Sequence, residues 1–281
     1  MSADLNADTN VVAGTARRLN GNIVGSFKRL TRPIDWRRTF PFLDDPRKLL
    51  IGAALVLAGV LLTMALVDAG ATRFARTLPR GVVDVFNFLT DFGKGAWVLW
   101  PLGLAFVALA ALPRAITPIA QAVQAAILVR VGFLFVAIAL PGLFSSIIKN
   151  MIGRARPGVP GRIDPWVFDP FHWTPAWAGM PSGHATTAFA VLAAVGTLWP
   201  RWRTVALIYA VVILISRVVV QAHFVSDTLL GAVVGITGVI LIRRWFAAQR
   251  LGFSITAAGG VHLYPGPSVR RIKAVARELL A

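Results

Sequence analysis

Residues 216–242 read SRVVVQAHFVSDTLLGAVVGITGVILI. Two patterns meet in this stretch. The first part carries Ser216, Arg217, His223 and Asp227 among apolar neighbours, and from Thr228 to Ile242 the chain is apolar and uncharged. Crossing about 30 Å of hydrocarbon takes roughly 20 such residues in a helix, so Thr228–Ile242 is most of a membrane span. A charged residue beside a span is expensive to place and usually has a task. His223 and Asp227 are four apart, so on a helix they share a face and come within reach of each other.

Working outward, five more apolar stretches of similar kind precede this one: Leu49–Val67, Ala96–Leu112, Ile127–Ile148, His184–Trp199 and Val205–Val220. The composition agrees with a bilayer as solvent. Hydrophobic residues make up 56% of the 281 and charged residues 15%, well below the quarter or so expected of a soluble chain. The segment Gly81–Phe92 is apolar but too short to span and carries Asp84 and Asp91. It reads as a helix at the membrane interface. The expected fold is therefore all-α: a six-transmembrane-helix bundle with an interfacial helix and an extramembrane loop. Residues 1–47 form a basic leader, 48–245 the membrane domain and 246–281 a tail. Within the leader, Val11–Leu30 alternates apolar and basic positions as a surface-lying helix would, a pattern that also suits a disordered tail. In the tail, Ser254–Pro267 is rich in Gly and Pro and reads as loop, and Arg270–Leu280 as a short amphipathic helix. The first apolar run starts too late for a secretory signal, so no cleaved leader is expected.

The net charge of +17 would suggest nucleic acid on a soluble protein. Here the cations cluster at the chain ends and in loops beside apolar runs, the arrangement that holds cytoplasmic segments against anionic headgroups. Nine Lys or Arg lie between Arg17 and Lys48 and seven from Arg243 onward, with Arg114, Arg201 and Arg203 on the same side. An even number of spans places both termini together, in the cytoplasm. The loop from Lys149 to Ser182 then faces the other compartment, the periplasm of an inner-membrane protein. With no cysteine, disulfides, thiolate nucleophiles and Cys-ligated metals are excluded.

That loop and its flanks hold three polar clusters. The first is Lys149, six residues, then Arg156 and Pro157: a compact cation and a planar fork suited to phosphate oxygens. The second is Pro181, Ser182, Gly183 and His184, opening a span. A helix N-terminus offers free N–H groups to an anion, Gly permits close approach, and His donates a proton near neutral pH. The third is the Ser216, Arg217, His223 and Asp227 set, in which an Asp on one ring nitrogen leaves the other free to attack. Taken singly, each cluster also fits an ordinary structural part: a headgroup anchor, a helix start, a capped helix with a satisfied histidine. Taken together on one side of one membrane, they supply the parts of a phosphoryl-transfer site. His172 and His262 lie outside the clusters, and Arg130 near a span end is expected to snorkel.

The motifs KNMIGRARP at 149–157, PSGH at 181–184 and SRVVVQAHFVSD at 216–227 resemble the tripartite signature of the type 2 phosphatidic acid phosphatases, shared with vanadium haloperoxidases and bacterial acid phosphatases. All the fixed positions are met in order, and the resemblance covers about residues 49–243. It implies a metal-independent, cofactor-free membrane lipid phosphatase with a six-helix core. His223 would form a phosphohistidine, Asp227 would orient it, and His184 would protonate the leaving oxygen and then help activate water. Lys149, Arg156 and Arg217, with Ser182 and Gly183, would cradle the phosphoryl group. Since His223 must be neutral and His184 protonated, the rate should be bell-shaped in pH. The implied partner is a lipid phosphate in the bilayer, with no nucleic acid: undecaprenyl diphosphate, phosphatidylglycerol phosphate, phosphatidic acid or the phosphates of lipid A. A lipid phosphotransferase would use the same residues. A vanadate-dependent peroxidase is disfavoured by the spans. Trp166, Phe168, Phe171, Trp173 and Trp177 in the loop 164–177 suit a gate at the lipid interface.

Overall fold

A computed structural model describes residues 20–21, 24–25, 33–112, 117–159 and 161–280 of the chain. Most of the expected leader helix, Val11–Leu30, lies outside the described residues, as does Arg114. The described chain is built of helices α1 (Pro46–Thr63), α2 (Ala69–Arg76), α3 (Arg80–Asp91), α4 (Gly95–Ala111), α5 (Pro118–Ile152), α6 (Gly183–Leu198), α7 (Arg203–Val219), α8 (Val225–Ala248) and α9 (Val269–Leu280). A π-helical turn at Met64–Asp68 joins α1 to α2 without a break. α1 starts three residues before the apolar run at Leu49, where the chain supplies a cap. Asp45 accepts the Lys48 N–H at 3.3 Å and Pro46 takes the first helical position, where its missing donor costs nothing.

Five helical stretches are long and apolar enough to cross a membrane: Pro46–Arg76, Arg80–Ala111, Pro118–Ile152, Pro200–Val219 and Val225–Ala248. The sixth expected span, α6, has 16 residues. At 1.5 Å per residue it reaches about 24 Å, short of the hydrocarbon thickness, so the count of six is not reached on length. α6 stops at Trp199 because Pro200 follows, and the residue before a proline is pushed out of the helical region. Other helices outrun their apolar cores. α5 begins at Pro118, well before the apolar stretch from Ile127, because hydropathy marks the lipid-facing part of a helix and not its capped end. Large apolar side chains stand outward along α1 and the π turn, with Leu55 69% and Leu66 71% exposed, as lipid contact requires. The stretch expected at the interface forms a separate helix, α3, set off from α4 by a turn at Phe92–Lys94.

The chain divides into two compact units. One comprises residues 40–99 and 134–242, and the other the described parts of residues 1–39, 100–133 and 243–281. In the second unit, Phe133 packs on Phe246 and Phe253, with ring centroids 5.3 and 4.9 Å apart. Arg130 does not simply snorkel. It donates to the carbonyls of Ala126 and Tyr264 and so ties α5 to the tail. The tail itself corrects the expectation of a loop and adds a small β element to the all-α fold. Phe253–Ile255 (β1) and Val261–Leu263 (β2) pair antiparallel, with Ser254 opposite His262. The pairing spans three residues a side, too few to show an alternation in sequence. α9 matches the amphipathic stretch, and its Val275 is buried against Ala120 and Val123 of α5.

In the first unit, α6 and α8 approach to backbone contact. A Cβ on Gly231 would stand 2.6 Å from the Ser182 carbonyl oxygen, and one on Gly235 would stand 2.4 Å from that of Thr186. Small residues at such crossings let membrane helices meet where side chains would hold them apart. The same contact brings the start of α6 against the start of α8, so two of the three polar clusters meet here.

Candidate active site

Every residue of the three polar clusters lies in the first unit. Lys149 is in the last turn of α5, and Arg156 follows in the loop that leaves it. The Arg156 N–H bonds the Ala176 carbonyl at 2.9 Å, so the two arms of the loop hold each other. Ser182 occupies the N-cap position of α6 and is fully buried, Gly183 is the first helical residue, and His184 follows it in the first turn, half-buried. Arg217 is buried near the end of α7. Its Nη1 donates to Thr90 Oγ1 of α3 at 2.7 Å, a partner with no sequence signal. His223 sits in the tight turn between α7 and α8, its N–H bonded to the Arg217 carbonyl at 3.1 Å. The turn needs a left-handed residue, supplied by Gln221 at φ 55°.

Asp227 joins the clusters. Its carbonyl accepts the Ser182 N–H at 3.0 Å. Its side chain reaches back to the Phe224 N–H at 2.9 Å through Oδ2, as the third residue of a capped helix does. Its distance to His223 is longer than the His–Asp spacing suggested: Oδ2 lies 3.6 Å from Nδ1, beyond hydrogen-bonding reach. The partner at 2.7 Å from Nδ1 is the Gly179 carbonyl.

Within the three clusters, three buried side-chain atoms have no hydrogen-bond partner among the described residues: Nε of Arg156, Oγ of Ser182 and Nε of Arg217. Each comes from a different cluster. Buried polar groups are nearly always satisfied, so three open groups in one set of clusters are open toward a ligand. Two belong to guanidinium groups and one to a hydroxyl at a helix N-terminus that makes no side-chain cap, the donor set of an oxyanion site. Burial draws the Arg156 guanidinium below its usual pKa, and the Asp227 carboxylate works against that. A buried cation in this condition gains most from an anion. Burial likewise lowers the pKa of His223, with Arg217 and Arg156 adding to the effect and Asp227 opposing it. A lowered pKa favours the neutral ring, the form in which an imidazole can attack phosphorus.

Sequence reasoning missed two residues behind this site. Neither is a fixed position of the three motifs: Arg154 is a cation of the loop after α5, and Asp68 is the residue after the apolar run Leu49–Val67. Both are fully buried and paired at 2.8 Å, and Arg154 also bonds Asp227. A charged side chain buried this deeply is rare unless paired, but its burial is not visible from its position in a polar loop. The loop over the site exposes Trp166, Phe171 and Trp173, and its His172 bonds Asp169 and stacks on Trp177.

Comparison with known proteins places the chain. A family model described as the PAP2 superfamily matches residues 130–251. The chain is 32% identical over 208 residues to a lipid A 1-phosphatase of Rhizobium johnstonii, an alignment covering 73% of this chain and 84% of that protein. It is 32% identical over 182 residues to a lipid A 1-phosphatase of Rhizobium etli, covering 64% and 78%. Among solved structures, Aquifex aeolicus LpxE matches with a TM-score of 0.45 at 21% identity, over 62% of this chain and 93% of that one. The first transmembrane PAP2-type phosphatidylglycerolphosphate phosphatase from Bacillus subtilis matches with a TM-score of 0.46 at 18% identity, over 67% and 92%.

Proposed function

Because the chain belongs to the PAP2 superfamily and is a multi-pass membrane lipid phosphatase of that type, we propose that it removes a phosphate monoester from a lipid A-like glycolipid through a phosphohistidine on His223. The observation that carries this reading is the set of unpartnered buried atoms on Arg156, Ser182 and Arg217. Those groups, with Lys149 and the first turn of α6 at Gly183, would hold the phosphoryl oxygens and stabilise the charge that develops on them. His223 attacks phosphorus in line. His184, at the open end of α6, gives its proton to the departing sugar oxygen and then takes one from the water that cleaves the phosphohistidine. Asp227 and the turn it caps hold His223 in place. No metal is needed, because the cations supply the charge stabilisation.

The names of the two Rhizobium relatives favour a 1-phosphate of lipid A over other lipid phosphates. The excess of Lys and Arg at both ends of the chain supports cytoplasmic termini, an inner-membrane location and a site open to the periplasm. The exposed Trp and Phe side chains of the loop 164–177 would sit in the headgroup layer, where such a lipid presents its phosphate. The test is phosphate release by the purified protein in detergent with EDTA, from lipid A, undecaprenyl diphosphate, phosphatidylglycerol phosphate and phosphatidic acid, beside His223→Ala. Release chiefly from lipid A, lost in the variant, is the expected result. Equal release from all four would remove the substrate assignment, and release that survives His223→Ala would remove the mechanism.

A further inference from the structure

We infer that Arg154 and Asp68 are positioning residues for His223, and that the Gly179 carbonyl, held in place by the Arg154 backbone, is the group that sets the imidazole ring. The inference rests on the reading of His223 as the nucleophile.

Arg154 is the largest fully buried side chain among the described residues. Its Nε donates to the Pro165 carbonyl at 3.0 Å, its Nη1 to Ser226 Oγ at 2.7 Å and to Asp227 Oδ1, and its Nη2 to Asp68 Oδ2 at 2.8 Å. The guanidinium also lies over the Phe224 ring, 4.6 Å from its centroid. Asp68 completes the group by accepting from the Ser226 N–H at 2.9 Å and from its hydroxyl. It reaches this position from the π turn after α1, a distortion that often marks functional sites. The first span and the loop after the third are thus joined to the start of α8 through the residues that directly follow His223: Phe224, Ser226 and Asp227.

The backbone of Arg154 acts on the same histidine. Its carbonyl accepts the Gly179 N–H at 3.0 Å, and the Gly179 carbonyl in turn lies 2.7 Å from His223 Nδ1. A carbonyl oxygen can only accept, so Nδ1 must carry the hydrogen and Nε2 is left with its lone pair. Both oxygens of Asp227 are already engaged, one by Arg154 and the other by the Phe224 N–H. Arg154 therefore does two things. It keeps the Asp227 carboxylate compensated and away from the ring, and it supports the neutral acceptor that takes its place. A carboxylate bonded directly to Nδ1 would favour the imidazolium, which cannot attack. The charged and titratable groups that bear on His223 are Asp227 of α8, Arg217 of α7, Arg156 of the loop and His184 of α6.

The test uses the full-length protein in detergent, labelled with 15N-histidine. The chain has four histidines, and His223→Gln identifies the signal of interest. The wild-type ring is expected as the Nδ1–H neutral tautomer. In the double variant Arg154→Met with Asp68→Asn, Asp227 keeps its charge but loses its ion pair with Arg154, and the His223 pKa should rise by about one unit or more, moving the acid limb of kcat up by the same amount. Arg154→Lys keeps the charge but not the fork. It should leave that limb in place while kcat falls roughly 10- to 100-fold and KM stays within about twofold. Gly179→Ala sets a Cβ 2.8 Å from the Arg154 carbonyl oxygen and should lower kcat in the same way. A wild-type ring protonated on Nε2 overturns the inference, as does an unmoved His223 pKa in the folded double variant. If the double variant does not fold, a wild-type kcat in both Arg154→Lys and Gly179→Ala overturns it. Phosphate release that survives His223→Gln would instead remove the phosphohistidine reading, while the tautomer measurement would still decide the role of Gly179.

Discussion

Gly235→Ala is expected to separate two halves of the site. The added Cβ would stand 2.4 Å from the Thr186 carbonyl oxygen and 2.9 Å from the Ala190 nitrogen, both backbone atoms of α6, where ordinary contact begins at 3.4 Å. A side chain can rotate away from such a clash but a helix backbone cannot, so α6 and α8 must move apart by about 1 Å, the shortfall from normal contact. Overpacking of this kind costs about 1–3 kcal/mol of stability. The larger effect falls on catalysis. α6 carries Ser182 and His184, and α8 starts with the turn that holds His223, so the same displacement shifts the anion cradle against the nucleophile. A misplacement near 1 Å costs on the order of 100-fold in rate. The assay is kcat for lipid phosphate release together with thermal unfolding in detergent. Gly59→Ala and Gly142→Ala serve as controls, since a Cβ at either meets nothing within 4 Å, and both should be neutral or stabilised by up to about 1 kcal/mol. A Gly235→Ala enzyme with wild-type kcat would refute the reasoning that backbone contact between α6 and α8 sets the register of the site.

Thr90→Val keeps the shape of the side chain but removes the acceptor for Arg217 Nη1. A hydrogen bond to a charged group contributes about 1.5–3 kcal/mol, so inhibition by orthovanadate should weaken roughly 10- to 100-fold with little change in unfolding temperature; unchanged inhibition would show that Thr90 does not hold the guanidinium. The pH profile follows from His223, whose pKa is held below 6.5 chiefly by burial. The attacking form is the neutral ring, present above that lowered value and lost as pH falls through it, so the acid limb of kcat/KM should lie below 6.5. A limb at 6.5 or higher would contradict the assignment. Replacing Trp166 and Trp173 together with Ala should reduce turnover of a lipid phosphate more than that of a soluble phosphoester, because both side chains stand exposed in the loop over the site; equal losses on the two substrates would rule out a role in lipid entry.

The parts of the site that were legible in the sequence are those whose chemistry resides in side chains at regular spacing. Lys149, Arg156, Ser182, His184, Arg217, His223 and Asp227 fall in three short motifs, each at the end of an apolar run, where a polar residue has few structural reasons to recur. The support behind them was not legible for two different physical reasons. Gly179 acts through its carbonyl, which every residue has, so no residue type marks it. Asp68 and Arg154 have distinctive side chains but ordinary addresses: Asp68 directly follows an apolar run, where a carboxylate normally meets water, and Arg154 lies in a loop with two other arginines. Only the π turn after α1 and the return of the loop at Gly179 turn them inward. The spans were legible wherever side chains face lipid along their whole length. α6, read from the sequence as His184–Trp199 and observed as Gly183–Leu198, was legible as a helix although it is short for a span; half of its 16 residues are buried within the protein, and a helix packed by its neighbours need not match the bilayer in length.

The arrangement of charge gives a reason for burying Arg154. The cradle holds three cations, Lys149, Arg156 and Arg217, and the nearby carboxylates Asp68 and Asp227 would cancel most of that field if they faced it. Arg154 binds both of them, which leaves that support with one net negative charge. The cradle and its support together then carry two positive charges in excess. A phosphate monoester brings close to two negative charges at neutral pH, so it balances the site, whereas a phosphodiester brings one and leaves a buried cation without a counter-charge. Leaving a buried charge unpaired is far more costly than never burying it. On this argument a preference for a terminal phosphate over the diester linkages of ordinary membrane phospholipids is the expected outcome, whatever the shape of the lipid. It depends on where Arg154 holds the two carboxylates, and it should weaken in any variant that lets Asp227 turn back toward the cradle.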